Sequence, residues 1–184
     1  MDHATALITA RELFNRCEIP FQLMLSTLKG ILVTGEPYPD DGEVDFICEA
    51  RELTDERLNK LRQDKLFGWL IDNKSPYLGM IYLRLPKIGT LTPFYEKGNY
   101  MIGNATENSY QIMRKDWYKP FKKLTYRNLE WDIPNNVDKI FKSHYGRNWK
   151  TEDLIGWHWT QSKGMITQSL SEEQALESYK RAFG

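Results

Sequence analysis

Leu25-Ser26-Thr27-Leu28-Lys29-Gly30, then a turn, then Glu43-Val44-Asp45-Phe46 is the stretch on which the fold is decided. Thr27 to Val33 reads as a short helix. Thr34-Gly35-Glu36-Pro37-Tyr38-Pro39-Asp40-Asp41-Gly42 is so dense in turn formers that the chain reverses there. Glu43 to Cys48 then reads as a strand, with Val44, Phe46 and Cys48 on one face and Glu43, Asp45 and Ile47 on the other. Residues two apart on a strand share a face, so the carboxylates of Glu43 and Asp45 leave Cα atoms about 6.5 Å apart in the same direction. Two hard oxygen ligands so placed can hold magnesium or manganese, which bridges nucleotide phosphates and neutralises charge developed during phosphoryl transfer. Ser26 and Thr27, opening a helix, can present backbone N–H groups and hydroxyls to the same phosphates. Taken alone, an acidic pair at this spacing also suits the solvated face of an edge strand.

Upstream, Ala6, Leu7, Ala10, Leu13 and Phe14 make one apolar stripe over residues 4 to 16, which predicts an amphipathic helix ending before Ile19-Pro20. Downstream, Thr54 is a helix N-cap with Leu53 and Leu58 spaced for a hydrophobic staple, and that helix is expected to run to about Lys65. Strands are predicted over Leu66 to Ile71, Tyr77 to Leu85 and Thr90 to Glu96. Residues 97 to 120, with Gly98, Gly103 and several Asn, are expected to be irregular or short hairpin strands. Lys122 to Tyr126 and Leu129 to Ile133 flank Arg127-Asn128, a tight turn. Asn135 or Asn136 caps a helix to Tyr145 stopped by Gly146, and Ser171 with Gln174 forms a capping box for a last helix over 171–183. Helices interspersed with strands predict an α+β mixed sheet in a single domain over 1–184, its core at about 20–163.

Lys+Arg and Asp+Glu balance at 25 each, so no bulk positive field favours nucleic acid, and recognition must be local. Fully apolar runs are far shorter than the about 20 residues of a membrane-spanning helix, and the first residues lack a basic stretch followed by a long apolar one. No membrane span and a cytoplasmic location are expected. Cys17 and Cys48 form neither a zinc framework nor a disulfide scaffold and are expected to be reduced packing residues.

The small-residue pair at a helix start, followed by a strand of pattern acid-apolar-acid-apolar, resembles the nucleotidyltransferase-fold signature, and in particular the LicD/fukutin family. Thr92-Pro93-Phe94-Tyr95-Glu96-Lys97-Gly98 resembles that family's aromatic-rich strand. Leu129-Glu130-Trp131-Asp132-Ile133-Pro134-Asn135-Asn136, followed by His144-Tyr145-Gly146-Arg147-Asn148-Trp149, resembles its C-terminal block, and Gly156-Trp157-His158-Trp159-Thr160 is similar to the fukutin branch. The likeness implies a nucleotidyltransferase-like mixed sheet with packed helices. It implies a transferase that moves a phosphorylated alcohol, such as phosphocholine or ribitol phosphate, from a CDP-linked donor to a glycan or other hydroxyl acceptor. A divalent metal, magnesium or manganese, would assist. By position, Glu43 and Asp45 match the metal-binding and catalytic acids, Ser26 and Thr27 the small pair near the donor phosphates, and Gly30 the glycine that lets the short helix pack closely. Lys29 is the only cation near the place where the family often has a basic residue at the helix end; Val33 occupies that place here.

Two departures matter. Glu43 stands where the family usually has Asp, and Thr90 and Thr92 stand where the fold's third acid is expected. Activating an acceptor hydroxyl then needs another base, for which Glu96, Asp40 and Asp41 are candidates. The missing acid motivates a second reading, a nucleotide- or glycan-binding module with impaired catalysis. A third is a nucleotidyltransferase that modifies protein or RNA. His144 is expected to serve the helix dipole as a cation, and Trp157-His158-Trp159 either to stack a ring or to fasten the C-terminal segment. Trp117, Tyr118 and Phe121 among Lys115, Lys119, Lys122 and Lys123 are expected to form a snorkelling surface.

Overall fold

The computed structural model describes residues 3–70, 79–106, 109–151, 165–166 and 171–183. Helix α1 (His3–Arg16) buries the predicted stripe of Ala6, Leu7, Ala10, Leu13 and Phe14. A two-residue strand β1 (Gln22–Leu23) precedes α2 (Leu25–Thr34), which begins earlier than expected because Leu25 itself turns the corner with φ +51. Strand β2 (Glu43–Glu49) follows the turn-rich loop, and α3 (Asp55–Gln63) starts at Thr54, whose hydroxyl accepts from the Arg57 amide. Leu53 and Leu58, the two halves of the staple, are both buried.

Strands β3 (Phe67–Leu70) and β4 (Ile81–Arg84) pair antiparallel, and β4 lies beside β5 (Ile88–Lys97). The long β5 organises the sheet. Along one edge it runs parallel to β2, with Asp45 opposite Thr90. Along its other edge it pairs with β4 through its first half and with β6 (Tyr100–Thr106) through its last residues. Strand β7 (Ser109–Arg114) and the short β10 (Met165–Ile166) extend the sheet. Every pairing other than β2 with β5 is antiparallel, so the α+β mixed sheet is as expected. A separate hairpin, β8 (Lys122–Tyr126) with β9 (Leu129–Ile133), turns through Arg127 and Asn128, both at positive φ. The turn type that matches strand twist needs this conformation at both positions.

Of the two alternatives for residues 97 to 120, hairpin strands are what forms: Tyr100–Thr106 and Ser109–Arg114 pair antiparallel within the main sheet. The alternation that would have announced them is absent because both faces are covered. Ile102 and Ile112 pack under Ala175, Leu176 and Tyr179 of the last helix, α6 (Glu172–Phe183), while Met101 and Met113 join the larger core. Gly103 reads as a breaker but is a packing residue, since a Cβ there would lie 2.8 Å from the Phe94 ring.

Helix α4 (Lys115–Tyr118) is a single turn, and α5 (Val137–Tyr145) is capped by Asn136, whose side chain accepts from the Lys139 amide. Ser171 and Gln174 exchange the two hydrogen bonds of the predicted capping box at α6. Helices α1 and α6 pack on the face of the sheet that carries Phe46 and Tyr95. The edge-on contact of Phe14 with Phe46, at 5.2 Å between ring centroids, fixes α1 there. Helix α2 covers the opposite face at Asp45, and α4 covers it at Phe94, where Tyr118 stacks. The second face is therefore covered from Asp45 onward, and at its start Glu43 is half-buried and Ile88 exposed.

Two expectations are corrected. Tyr118 is fully buried and donates to the Gln22 side chain, so the basic-aromatic segment is anchored in the core, with Lys115 and Lys119 in ion pairs to Glu96 and Glu49. His144 is buried, which pushes its imidazole down to about 4 and leaves it neutral, so it cannot serve the helix dipole as a cation. Cys17 and Cys48 are free and buried. Trp157, His158 and Trp159 lie outside the described residues. Among the described residues, no helix is long and apolar enough to cross a membrane.

Candidate active site

The tight turn from β1 into α2 sets the site. With Met24 extended and Leu25 left-handed, the first turn of α2 arrives directly over β2, and no side chain caps it. A left-handed leucine is strained, and such strain persists only where the surroundings hold it. Here they do. The Met24 amide donates to the Asp45 carbonyl, and the Asp45 amide donates to the Thr27 hydroxyl at 2.9 Å. The Ser26 hydroxyl donates to one Asp45 carboxylate oxygen at 2.6 Å, and the Thr90 hydroxyl donates to the other at 2.9 Å.

Ser26 and Thr27 are thus brought to the acid as the sequence implied, but their hydroxyls engage Asp45 itself. Thr27 is buried and ties helix to strand, whereas Ser26 is half-buried at the mouth. Gly30 lies under the loop: a Cβ there would meet the Tyr38 amide nitrogen at 2.8 Å and the Glu36 carbonyl oxygen at 2.9 Å. It is a close-approach glycine that seats the loop bearing Asp41. Lys29 is buried rather than open to the cleft, its ammonium 4.8 Å from the ring centre of Tyr145 and 5.7 Å from that of Tyr38.

Glu43 and Asp45 share the open face. Asp45 is only 7% exposed, and burial with the nearby Asp41 charge raises its carboxyl to about 6 against the opposing pull of its three hydrogen bonds. Glu43 is half-buried and raised to about 7 by burial, then by Asp45 and Asp41. Asp41, on the preceding loop, is close enough to act on both acids, and its side chain accepts from the Glu43 amide. The loop is held from two sides, by the His3 ring nitrogen and the Lys87 ammonium, both donating to the Asp41 carbonyl. Burial raises the Tyr145 phenol, as do Asp45 and Asp41, so α5 closes the inner wall.

Sequence reasoning left the catalytic base open, and the structure removes one candidate. Glu96 is bound by Lys115 and Lys119, which hold its carboxyl down at about 2. It also lies six residues along β5 from Thr90, roughly 20 Å at about 3.3 Å per residue. A carboxylate so acidic and so distant cannot take a proton at the acid pair. Tyr38, Tyr145 and Tyr82 were not foreseen as site residues. Tyr82 is raised by burial and by the Glu43 charge, which places it beside the acids although it stands two strands away.

Whether a divalent metal fits here is decided by the donors present. Two carboxylates on one face offer hard oxygens. Each Asp45 oxygen that accepts one hydroxyl retains a further lone pair for a cation. Among the described residues no three of His, Cys, Asp and Glu gather as a cage, so the protein supplies part of a shell to be completed by water and phosphate. That pattern suits magnesium or manganese better than zinc.

The family model described as LicD/FKTN/FKRP, nucleotidyltransferase domain, matches residues 18–136, more than half the chain. The chain belongs to this family. The matched region of the LicD/fukutin-like chain runs from just before β1 to the cap of α5, and so contains the helix-loop-strand unit that carries Ser26, Thr27, Glu43 and Asp45. Family membership makes it a transferase-type domain of the nucleotidyltransferase fold. The His144-to-Trp149 and Gly156-to-Thr160 blocks lie beyond the match. No curated protein sequence matches. Among solved structures, the chain is similar to the lincosamide antibiotic adenylyltransferase LnuA, solved with lincomycin bound, at 14% identity and a TM-score of 0.49, covering 95% of this chain and 92% of that one.

Proposed function

We propose that this LicD/fukutin-like domain is a metal-dependent transferase that moves a phosphorylated alcohol from a CDP-linked donor to a hydroxyl acceptor, a glycan by family likeness. The observation that carries the proposal is the fixed orientation of Asp45. The hydroxyls of Ser26 and Thr90 and the backbone amide of Thr27 hold a nearly buried carboxylate beside Glu43 at the start of the sheet face. Mg²⁺ or Mn²⁺ bound by Glu43 and Asp45 would offset the charge of the donor's phosphates.

In the reaction, the acceptor oxygen forms a bond to the phosphorus that bears the alcohol, the bond from that phosphorus to CMP breaks, and CMP leaves with the electron pair. The acceptor's proton passes to a carboxylate, for which Asp41 is the nearest group beyond the pair. Ser26 and Thr90 keep Asp45 from rotating, which preserves a near-attack geometry. Asp45→Asn is expected to abolish donor turnover with the fold intact. Retained turnover would remove the assignment.

One observation favours a second reading. The residue directly beside Asp45 on β5 is Thr90, so the third acid of the fold is missing from its expected place. A binding module with impaired catalysis would take CDP with Mn²⁺ in calorimetry yet turn over no donor.

A further inference from the structure

Pairing across the sheet puts Asp45, Thr90, Tyr82 and Trp69 in one row on one face of four successive strands. The neighbouring row runs from Glu43 through Ile88 to Arg84. Trp69 and Tyr82 stack with ring centroids 4.4 Å apart and planes 15° from parallel. Trp69 is 54% exposed and Ile88 46% exposed, among the largest apolar surfaces the protein leaves in water. A fold that buries Trp131 and Trp149 has core enough to hide such side chains, so an exposed Trp69 stacked on a half-buried Tyr82, two strands from an acid pair, calls for a ligand.

We infer that Tyr82 and Trp69, with Ile88 at their edge, stack the pyrimidine base of the donor nucleotide. The inference rests on the proposed function, because the acid pair fixes where the phosphates lie. Two observations select a base over other occupants. First, Tyr82 is two strands from Asp45, roughly 10 Å at about 4.8 Å per strand, which is the reach of a ribose with its glycosidic and phosphoester bonds. An acceptor sugar must instead bring its hydroxyl into contact with the reacting phosphorus, closer to the acids than the ring pair stands. Second, Arg84 is exposed on the same face, two residues from Tyr82 on β4 and across Ile88 from Glu43, so a phosphate lying over β5 has a guanidinium on one side and the acids on the other. A nucleotide meets all of these at once: base on the rings, phosphates between the guanidinium and the acids.

The test uses the whole chain, Mn²⁺, and two probes, CDP and inorganic pyrophosphate, by calorimetry. Wild type is expected to bind both. Trp69→Ala, a change at an exposed position, is expected to weaken CDP by about 10-fold to 100-fold and leave pyrophosphate unchanged, since aromatic stacking acts on the base alone. Trp69→Phe should restore most of the affinity, and UDP should bind like CDP because stacking tolerates either ring. If Trp69→Ala binds CDP as wild type does, the base platform is overturned while the acid-pair reading stands. If wild type binds neither probe, the acid-pair reading fails and the platform falls with it. If a hexose oligosaccharide binds in a Trp69-dependent way and CDP does not, the shelf belongs to the acceptor and the inference is overturned.

Discussion

Replacing Asp45 with Asn should make the metal-free protein more stable at neutral pH. In the folded state burial lifts the Asp45 carboxyl from an ordinary 3.8 to about 6. The folded protein therefore holds that proton more tightly than the unfolded chain does. Stability on this account is highest below about pH 4, declines as pH rises through the interval between the two values, and stays low above about pH 6. At 1.36 kcal/mol per pH unit the difference is on the order of 3 kcal/mol. Asparagine stands in for the neutral acid. Its oxygen accepts from one of the two hydroxyls and its amide donates to the other, because Ser26 and Thr90 can rotate to accept as well as donate. A gain of about 3 kcal/mol in a domain of this size raises the melting temperature by about 6–12 °C.

Thermal unfolding of wild type and Asp45→Asn, in chelator and across pH 4 to 8, reads the effect directly. The variant should melt higher at pH 7.5, and the two curves should converge towards pH 4. Manganese should then raise the wild-type melting temperature at pH 7.5 and leave that of the variant unmoved. A variant that melts lower at pH 7.5, or a difference that does not change with pH, would show that the ionised carboxylate is stabilised by its hydroxyl donors rather than strained by burial.

Three further outcomes follow from the same geometry. Gly30→Ala drives a methyl group into the backbone of residues 36–38, and should lower stability by about 1–3 kcal/mol in urea unfolding; an unchanged midpoint would mean the loop is free to move away. Thr90→Val keeps the shape of the side chain and removes a donor to Asp45, so unfolding in chelator at pH 7.5 should show a loss of about 1–3 kcal/mol, with no loss at pH 4 beyond that of the hydroxyl itself. Glu96→Gln should keep donor turnover within about twofold, since a group at about 2 and far along β5 takes no proton at the site; a large fall would return it to the list of bases.

Local signals carried much of the fold. The α1 stripe, the alternation of β2, the caps at Thr54, Asn136 and Ser171, and the Arg127-Asn128 turn are each decided by a few neighbouring residues, and each appears where the sequence placed it. Strands β6 and β7 stood only as an alternative to irregular chain, because their two faces pack on different cores, which erases the period-two pattern. The same division holds at the site. Glu43, Asp45, Ser26, Thr27 and Gly30 lie within one helix-loop-strand unit, so a single short stretch of sequence, with its family resemblance, could nominate them. The enclosure of Lys29 by Tyr38 and Tyr145, the capture of Glu96 by Lys115 and Lys119, and the row from Asp45 to Trp69 all join segments distant in sequence. Their pairing is fixed by topology, which no local pattern encodes.

Several departures from stability rules lie on the sheet face that carries the acids or at the turn that covers it. Leu25 accepts a left-handed backbone, Asp45 and Glu43 are desolvated side by side with Asp41 adding like charge, and Trp69 and Ile88 remain in water. Each is unfavourable for the free chain, and each has a simple remedy that would stabilise it: a glycine at 25, an amide at 45, a polar residue at 69. By contrast α3, α5 and α6 have their caps satisfied, and the apolar stripe of α1 is buried. On the proposed reading, a bound cation would relieve the like charge of the acids and a stacked ring would cover Trp69, so ligand binding would offset both costs.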